Sequence, residues 1–166
     1  MNDLAHIFLT YFVLSFIIPE TQKYLLPIAL FAIILDFDHF PGFLKIMFIS
    51  KKERQKMKIK DHVDLFRTPI QEPIGVMTIE AILLLLYLFG LRNIILLIAT
   101  LCFAIHLAID LLTVHTRPFS PANNKIVSLF FHTGKQRVRS EIIITVVSLI
   151  LFLIVYLTQL KIFTLQ

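Results

Sequence analysis

The chain has one cysteine, no tryptophan and only 11 acidic residues in 166. Cys102 lies inside an apolar run and has no second cysteine to pair with, which excludes an internal disulfide framework and a cysteine zinc site. Any metal must therefore be held by histidine and carboxylate. No internal repeat or low-complexity tract stands out, which excludes solenoid and linker-like readings. What the chain has in abundance is apolar character: 57% of residues are hydrophobic and the mean hydropathy is +0.82, outside the range of ordinary soluble domains. These values place it in the membrane class. The formal charge of +5 could indicate nucleic acid, but the basic residues sit in loops flanking apolar runs with little aromatic interleaving. No nucleic-acid partner is expected.

Five apolar segments can be read along the chain. Leu4 to Ile18, ending at Pro19, gives about 22 Å of helix; it opens with Asn2 and Asp3, not with basic residues, and is expected to be a retained helix and not a cleaved leader. Tyr24 to Leu35 reaches only about 18 Å, short of a hydrocarbon core of about 30 Å. Lys45 to Thr68 reads as a polar connection. Pro73 to Gly90 and Ile94 to Val114, joined by the tight turn "GLRN", read as a helical hairpin, and Ile142 to Leu160 follows a loop containing Pro118 and Pro121. The expected fold is all-α: an integral membrane bundle of about five hydrophobic helices, the second one short. It forms a single domain over 1–166, with site-bearing helices in 1–115 and a C-terminal membrane helix over 141–162.

Of the sixteen lysines and arginines, thirteen fall in two loops, at 45, 51, 52, 54, 56, 58, 60, 67, 117, 125, 135, 137 and 139. The positive-inside rule puts both loops in the cytoplasm. The expectation is a cell (inner) membrane protein with a cytoplasmic N-terminus and an outer C-terminus. Under that topology His6, Asp36, Asp38, His39, His62, Asp64, Arg67, Glu72, His106, Asp110 and His115 all converge on the cytoplasmic face, although only lysine and arginine entered the orientation.

The strongest local signal is "AIHLAIDLLTVH", in which His106 and Asp110 are four apart and share a helical face. Such a pair can chelate one ion, and imidazole with carboxylate suits zinc, manganese or iron better than calcium or magnesium. The competing reading is a mutual hydrogen bond within the bundle. Asp36-x-Asp38-His39 offers further ligands from one turn, or solvated groups at a helix end. His6 alone reads as an interfacial histidine; placed with the others it becomes a ligand candidate. In "FRTPIQEP", Arg67 can clamp an anionic oxygen or act as a positive-inside arginine. Glu72, just before Pro73, is a ligand, a general base or a favourable charge at a helix start. Glu80 lies deeper on the same face, where it could pair with Arg67 or a buried histidine. The run Lys51 to Lys60 is an orientation signal and a contact for anionic lipid.

The order of a first-helix histidine, D-x-D-H after a short apolar helix, an arginine element and H-x-x-x-D-x-x-T resembles the YdjM-like family of membrane-bound metal-dependent hydrolases. The matching positions are His6, Asp36, Asp38, His39, Arg67, His106, Asp110 and Thr113, covering about the first 120 residues. The family's H-R-x-x-x-H-S element is replaced here by Phe66-Arg67-Thr68-Pro69-Ile70-Gln71-Glu72, without its histidines. More distantly the order is similar to the zinc-dependent phospholipase C and single-strand nuclease folds, with His6, Asp36 or Asp38, His62, His106, Asp110 and His115 as candidates; His132 with Gln136 is a poor match to their final pair.

The resemblance implies a hydrolase of phosphate esters or phospholipid head groups. Its metal ligands would be His6, Asp36, Asp38, His39, His62, His106 and Asp110, the cofactor a divalent metal, zinc first and manganese or iron as alternatives. Glu72 is then the expected base and Arg67 the stabiliser of phosphate charge. Membrane lipid is the expected partner and a lipid-like phosphorylated molecule the substrate class. Two other classes compete: a metal-binding structural or regulatory membrane protein without turnover, and a small transporter using Glu80, His106 and Asp110.

Overall fold

The computed structural model describes residues 3–57, 61, 65, 68, 70, 72–113, 115–120, 122, 123, 125–127 and 134–164. The architecture is all-helical, as expected. Its α-helices are α1 (Asp3–Leu14), α2 (Leu25–Ile33), α3 (Phe40–Phe48), α4 (Lys51–Lys56), α5 (Pro73–Leu88), α6 (Ile94–Thr113) and α7 (Gly134–Thr164). Two 3₁₀ segments, Thr21–Tyr24 and Ile34–His39, flank α2. Among the described residues, β pairing is limited to isolated bridges joining Thr116 to Val127 and Phe119 to Asn123.

Local chemistry sets the boundaries. α1 stops four residues before the expected end: Pro19 supplies no N–H and disfavours helix in the residue preceding it, while the Ile17 and Ile18 amides both turn back onto the Leu14 carbonyl. The Thr21 hydroxyl then donates to the Ile18 carbonyl and closes the turn. Proline near the N-terminus fits both α3 and α5, where the missing N–H would be unpaired in any case. α4 begins with a reciprocal capping box, the Ser50 amide donating to Glu53 Oε2 at 3.1 Å and the Glu53 amide to Ser50 Oγ at 3.3 Å. The hairpin between α5 and α6 turns at Gly90, whose φ of 136° only glycine adopts without strain. Asn93 Oδ1 accepts the Ile95 amide at 2.9 Å, which starts α6.

α6 (20 residues) and Arg139–Leu160 of α7 (22 residues) are long and apolar enough to cross a membrane; the segment through α2 and α3 is a third candidate if the pair, bent by 47°, counts as one span. α1 and α5 are shorter, 12 and 16 residues, about 18 and 24 Å. α3 and α4 occupy a stretch expected to be a polar connection. "FPGF" looks like a helix breaker, yet Pro41 sits in the first turn, where proline is tolerated.

α6 packs against both α2 and α5, and α1 packs against α2 and α7. The main core joins Tyr11, Leu14, Ile18, Ile28, Ile98 and Cys102, all buried. A smaller cluster of Leu35, Val76 and Phe103 fills the space between α5, α6 and the second 3₁₀ segment. Tyr11 closes the α1–α7 contact: its ring meets Phe152 edge-on at 4.9 Å and its hydroxyl donates to Gln159 at 2.9 Å. In a bilayer the lost-transfer contribution of a core truncation shrinks, because lipid is as apolar as the core, and the cavity contribution persists. Ile98→Ala should therefore cost about 2 kcal/mol, the low end for such truncations, and Tyr11→Phe about 0.6 kcal/mol. Reversible unfolding in mixed micelles should show that order.

Candidate metal centre

The apolar stripe of α6 that buries Ile98, Cys102 and Phe103 continues, at helical spacing, into His106 and Asp110. The side chains that build the core thus lead directly to two polar ones. From α1, His6 lies on the buried face with Thr10, Tyr11 and Leu14. Asp36 comes from the second 3₁₀ segment, where residues three apart eclipse one another, so His39 stands directly over it. Three separate elements thereby deliver His6, Asp36, His106 and Asp110 to one place.

Distances define the cluster. His6 Nε2 is 3.6 Å from Asp110 Oδ1, and His106 Nε2 is 3.7 Å from Asp36 Oδ1 and 3.9 Å from Asp110 Oδ2. His39 Nε2 is 3.6 Å from Asp36 Oδ1, at the rim, where its side chain is 24% exposed. The His6 and His106 rings stack, centroids 4.1 Å apart and planes 13° from parallel. His6 and His106 are almost fully buried, at 0% and 3% exposure.

The state of His106 follows from its other nitrogen. Nδ1 is 2.9 Å from the Ala32 carbonyl, which can only accept, so Nδ1 carries a proton and Nε2 is the nitrogen turned toward the carboxylates; in the neutral ring it presents a lone pair there. A lone pair facing carboxylate oxygens is satisfied by an electron-poor centre between them, a proton on Nε2 or a cation. Separations of 3.6–3.9 Å exceed hydrogen-bond length. They lie just beyond the roughly 3.3–3.6 Å edges of a tetrahedron whose nitrogen and oxygen ligands stand about 2.0–2.2 Å from zinc. His6 Nδ1 and Nε2, Asp36 Oδ2 and Thr10 Oγ1 are buried without a hydrogen-bond partner, a state that costs about 1–3 kcal/mol per group if nothing fills it. One ligand atom from each of His6, Asp36 and His106 lies within 4.8 Å of the others. Donor chemistry, orphaned atoms and spacing all fit a divalent ion.

The remaining candidates fall elsewhere. Asp38 belongs to the same 3₁₀ segment as Asp36, but its side chain, together with His62, Asp64, Arg67 and His132, lies outside the described residues. Glu72 is fully buried and engaged by Arg117: the Arg117 amide donates to Oε2 at 2.6 Å and its Nε to Oε1 at 2.8 Å. The expected general base is thus one half of an ion pair that ties the chain after α6 to the start of α5. Arg117 entered the sequence reading only as a loop cation; a partner 45 residues away leaves no spacing signal. Glu80 is half-buried on α5 and has no ion-pair partner among the described residues. His115 follows α6, next to the Thr116–Val127 bridge.

Removing one side of a buried ion pair strands the other, whereas replacing both with apolar groups of similar volume is tolerated. Glu72→Leu or Arg117→Met alone should cost about 3–5 kcal/mol, and the double variant clearly less than either. Thermal unfolding of the three purified variants checks that order.

No family model matches the chain, and neither does any curated protein or solved structure. Function is therefore read from the chemistry of the cluster.

Proposed function

We propose that the protein is a membrane-embedded, metal-dependent hydrolase of phosphate esters, with phospholipid-like molecules as its substrate class. The observation that carries this reading is His106 Nε2, its ring held by the Ala32 carbonyl, 3.7 Å from Asp36 and 3.9 Å from Asp110 beside a buried His6. His6, Asp36, His106 and Asp110 would hold the ion, with His39 at the rim; zinc suits this donor set first, manganese and iron after it. A divalent ion supplies Lewis-acid activation of water and polarisation of a phosphoryl oxygen.

The chain's own groups do the rest. The Ala32 carbonyl holds the His106 ring in one tautomer, an outer contact of the kind that orients ligands in metal sites. Burial of His6 and His106 keeps bulk water out and strengthens every charge interaction inside. With Asp36 Oδ1 facing His106, Asp36 Oδ2, buried and without a hydrogen-bond partner among the described residues, would accept a proton from a water nucleophile. That role passes to Asp36 because Glu72 is held by Arg117. Arg67 is the group nominated for phosphate charge. The basic loops favour a site on the cytoplasmic side of the inner membrane.

A second reading, a closed metal site that only holds the bundle together, is favoured by the near-complete burial of His6 and His106. An open coordination position separates the two, since catalytic sites keep one and structural sites do not.

Metal analysis of the detergent-purified protein should give stoichiometric metal. His106→Ala and Asp110→Ala should each weaken binding more than roughly 100-fold, beyond the cost of losing an outer contact. Chelation should abolish phosphoester or phospholipid hydrolysis, and returning the metal should restore it. A wild-type protein that binds no zinc, manganese or iron would refute the hydrolase; stoichiometric metal with no turnover on any phosphoester would select the closed structural site.

A further inference from the structure

α3 has its apolar face on the wrong side for a helix packed into a bundle. At 100° per residue Phe40, Phe43, Leu44 and Met47 share one face and Gly42 lies opposite. Gly42 is the buried residue, whereas Phe40, Phe43, Met47 and the following Phe48 are 62%, 56%, 75% and 90% exposed. α3 packs mainly on the 3₁₀ segment that precedes it, so its large side chains point away from the protein.

Depth comes from the α1–α7 register. Phe8 stacks near Phe152, and Tyr11 meets Tyr156 and Gln159, so the two helices run the same way and His6 falls level with the region of Ile150. Ile150 lies about 13 Å along α7 from Glu141 and about 16 Å from Arg139. The polar cluster is therefore set well below the level of those charges. α3 starts right after Asp36 and His39, is about 13 Å long, and leads to Lys51 and Lys52 at an angle of 47° to the preceding helix. Its length suits the climb from the cluster back to the charged level.

Charge identifies what covers the exposed face. Residues 45–60 hold seven basic side chains and one acidic, Glu53, a surplus of six in a protein whose net charge is +5. A second copy docked face to face on α3 would bring two such stretches together and be repelled. Anionic lipid is attracted, by about fivefold per lysine near the surface.

We propose that α3 lies obliquely within one leaflet of an anionic bilayer. Its phenylalanine face contacts acyl chains, the basic residues from Lys45 to Lys56 bind lipid phosphates, and the Asp36–His39 rim opens beside lipid instead of bulk water. This placement stands on α3 and its charges alone and does not require hydrolysis. Joined to the proposed function, it makes the substrate an amphiphile that enters from the leaflet.

The absence of tryptophan makes the test clean. Phe48→Trp and, separately, Phe40→Trp are made in the full chain and reconstituted into vesicles of phosphatidylcholine and phosphatidylglycerol carrying brominated acyl chains. Two positions guard against one variant misfolding. Expected are strong quenching by bromolipid, weak quenching by aqueous acrylamide, and a several-fold preference for brominated phosphatidylglycerol that disappears in Lys45→Ala/Lys51→Ala/Lys52→Ala. Quenching by acrylamide alone would place α3 in water. Protection from both quenchers would mean that protein covers the face, and equal quenching by the two lipids would remove the anionic specificity; each of these outcomes overturns the proposal. Bromolipid quenching in a protein without metal would refute the hydrolase and leave this inference standing.

Discussion

An ionisable side chain inside an apolar bundle needs a partner, and the structure is arranged around meeting that need at one place. His106 and Asp110 lie on the stripe of α6 that buries Ile98 and Cys102, so packing the core forces both inward. Once they are inward, His6 from α1 and Asp36 from the segment after α2 are brought to within 4 Å of them. The Ala32 carbonyl accepts from His106 Nδ1, which leaves Nε2 facing the carboxylates. The nitrogen–oxygen separations among these four side chains, 3.6 to 3.9 Å, are longer than hydrogen bonds. A cluster of this composition and spacing could hold a cation, either a metal or an added proton. The stacked, nearly parallel His6 and His106 rings favour a metal, because two protonated imidazoles 4.1 Å apart would repel each other.

What was legible in the sequence divides by range. The His106–Asp110 pair was readable because a four-residue spacing on a helix guarantees neighbours. Asp36 with His39 was readable for the same local reason, although the turn proved to be 3₁₀ and not a helix end. His6 could be placed only by reasoning about topology, and the structure puts it in contact with Asp110. The Glu72–Arg117 pair was not readable, since a contact across 45 residues has no local signature, and charge counting had filed Arg117 with the loop cations. α3 was not expected: only its last residues fall in the stretch read as a polar connection, and proline in its first turn and a buried Gly42 are both compatible with helix.

Short helices are what make room for the cluster. α1 begins at Asp3 and reaches His6 within one turn, α2 ends at Ile33, and α6 ends one turn past Asp110. Polar groups therefore sit at helix ends, where the chain can bend around them, and the middle of the bundle stays apolar through Tyr11, Leu14, Ile28 and Ile98. That distribution weighs against a transport path, which needs polar groups at successive depths. It also explains the division of labour among the helices. α6 is both core and site, while α7 exposes Ile142, Ile143, Val146 and Val147 and contributes to the bundle through its contact with α1.

The Glu72–Arg117 pair bears on how the site is kept in register. α6 carries two of the four clustered side chains, and the chain leaving it is held at Arg117 by a buried carboxylate at the start of α5. The Gly90 turn ties the other end of α6 to α5. α6 is thus fixed to the same neighbour at both ends, so axial sliding, which would move His106 and Asp110 relative to His6, is opposed by a charge pair and by backbone connectivity at once. A ligand set must hold its separations to a few tenths of an ångström to retain one ion. In this bundle the clamp on α6 holds His106 and Asp110 in place, so a carboxylate outside the cluster bears on the separations inside it.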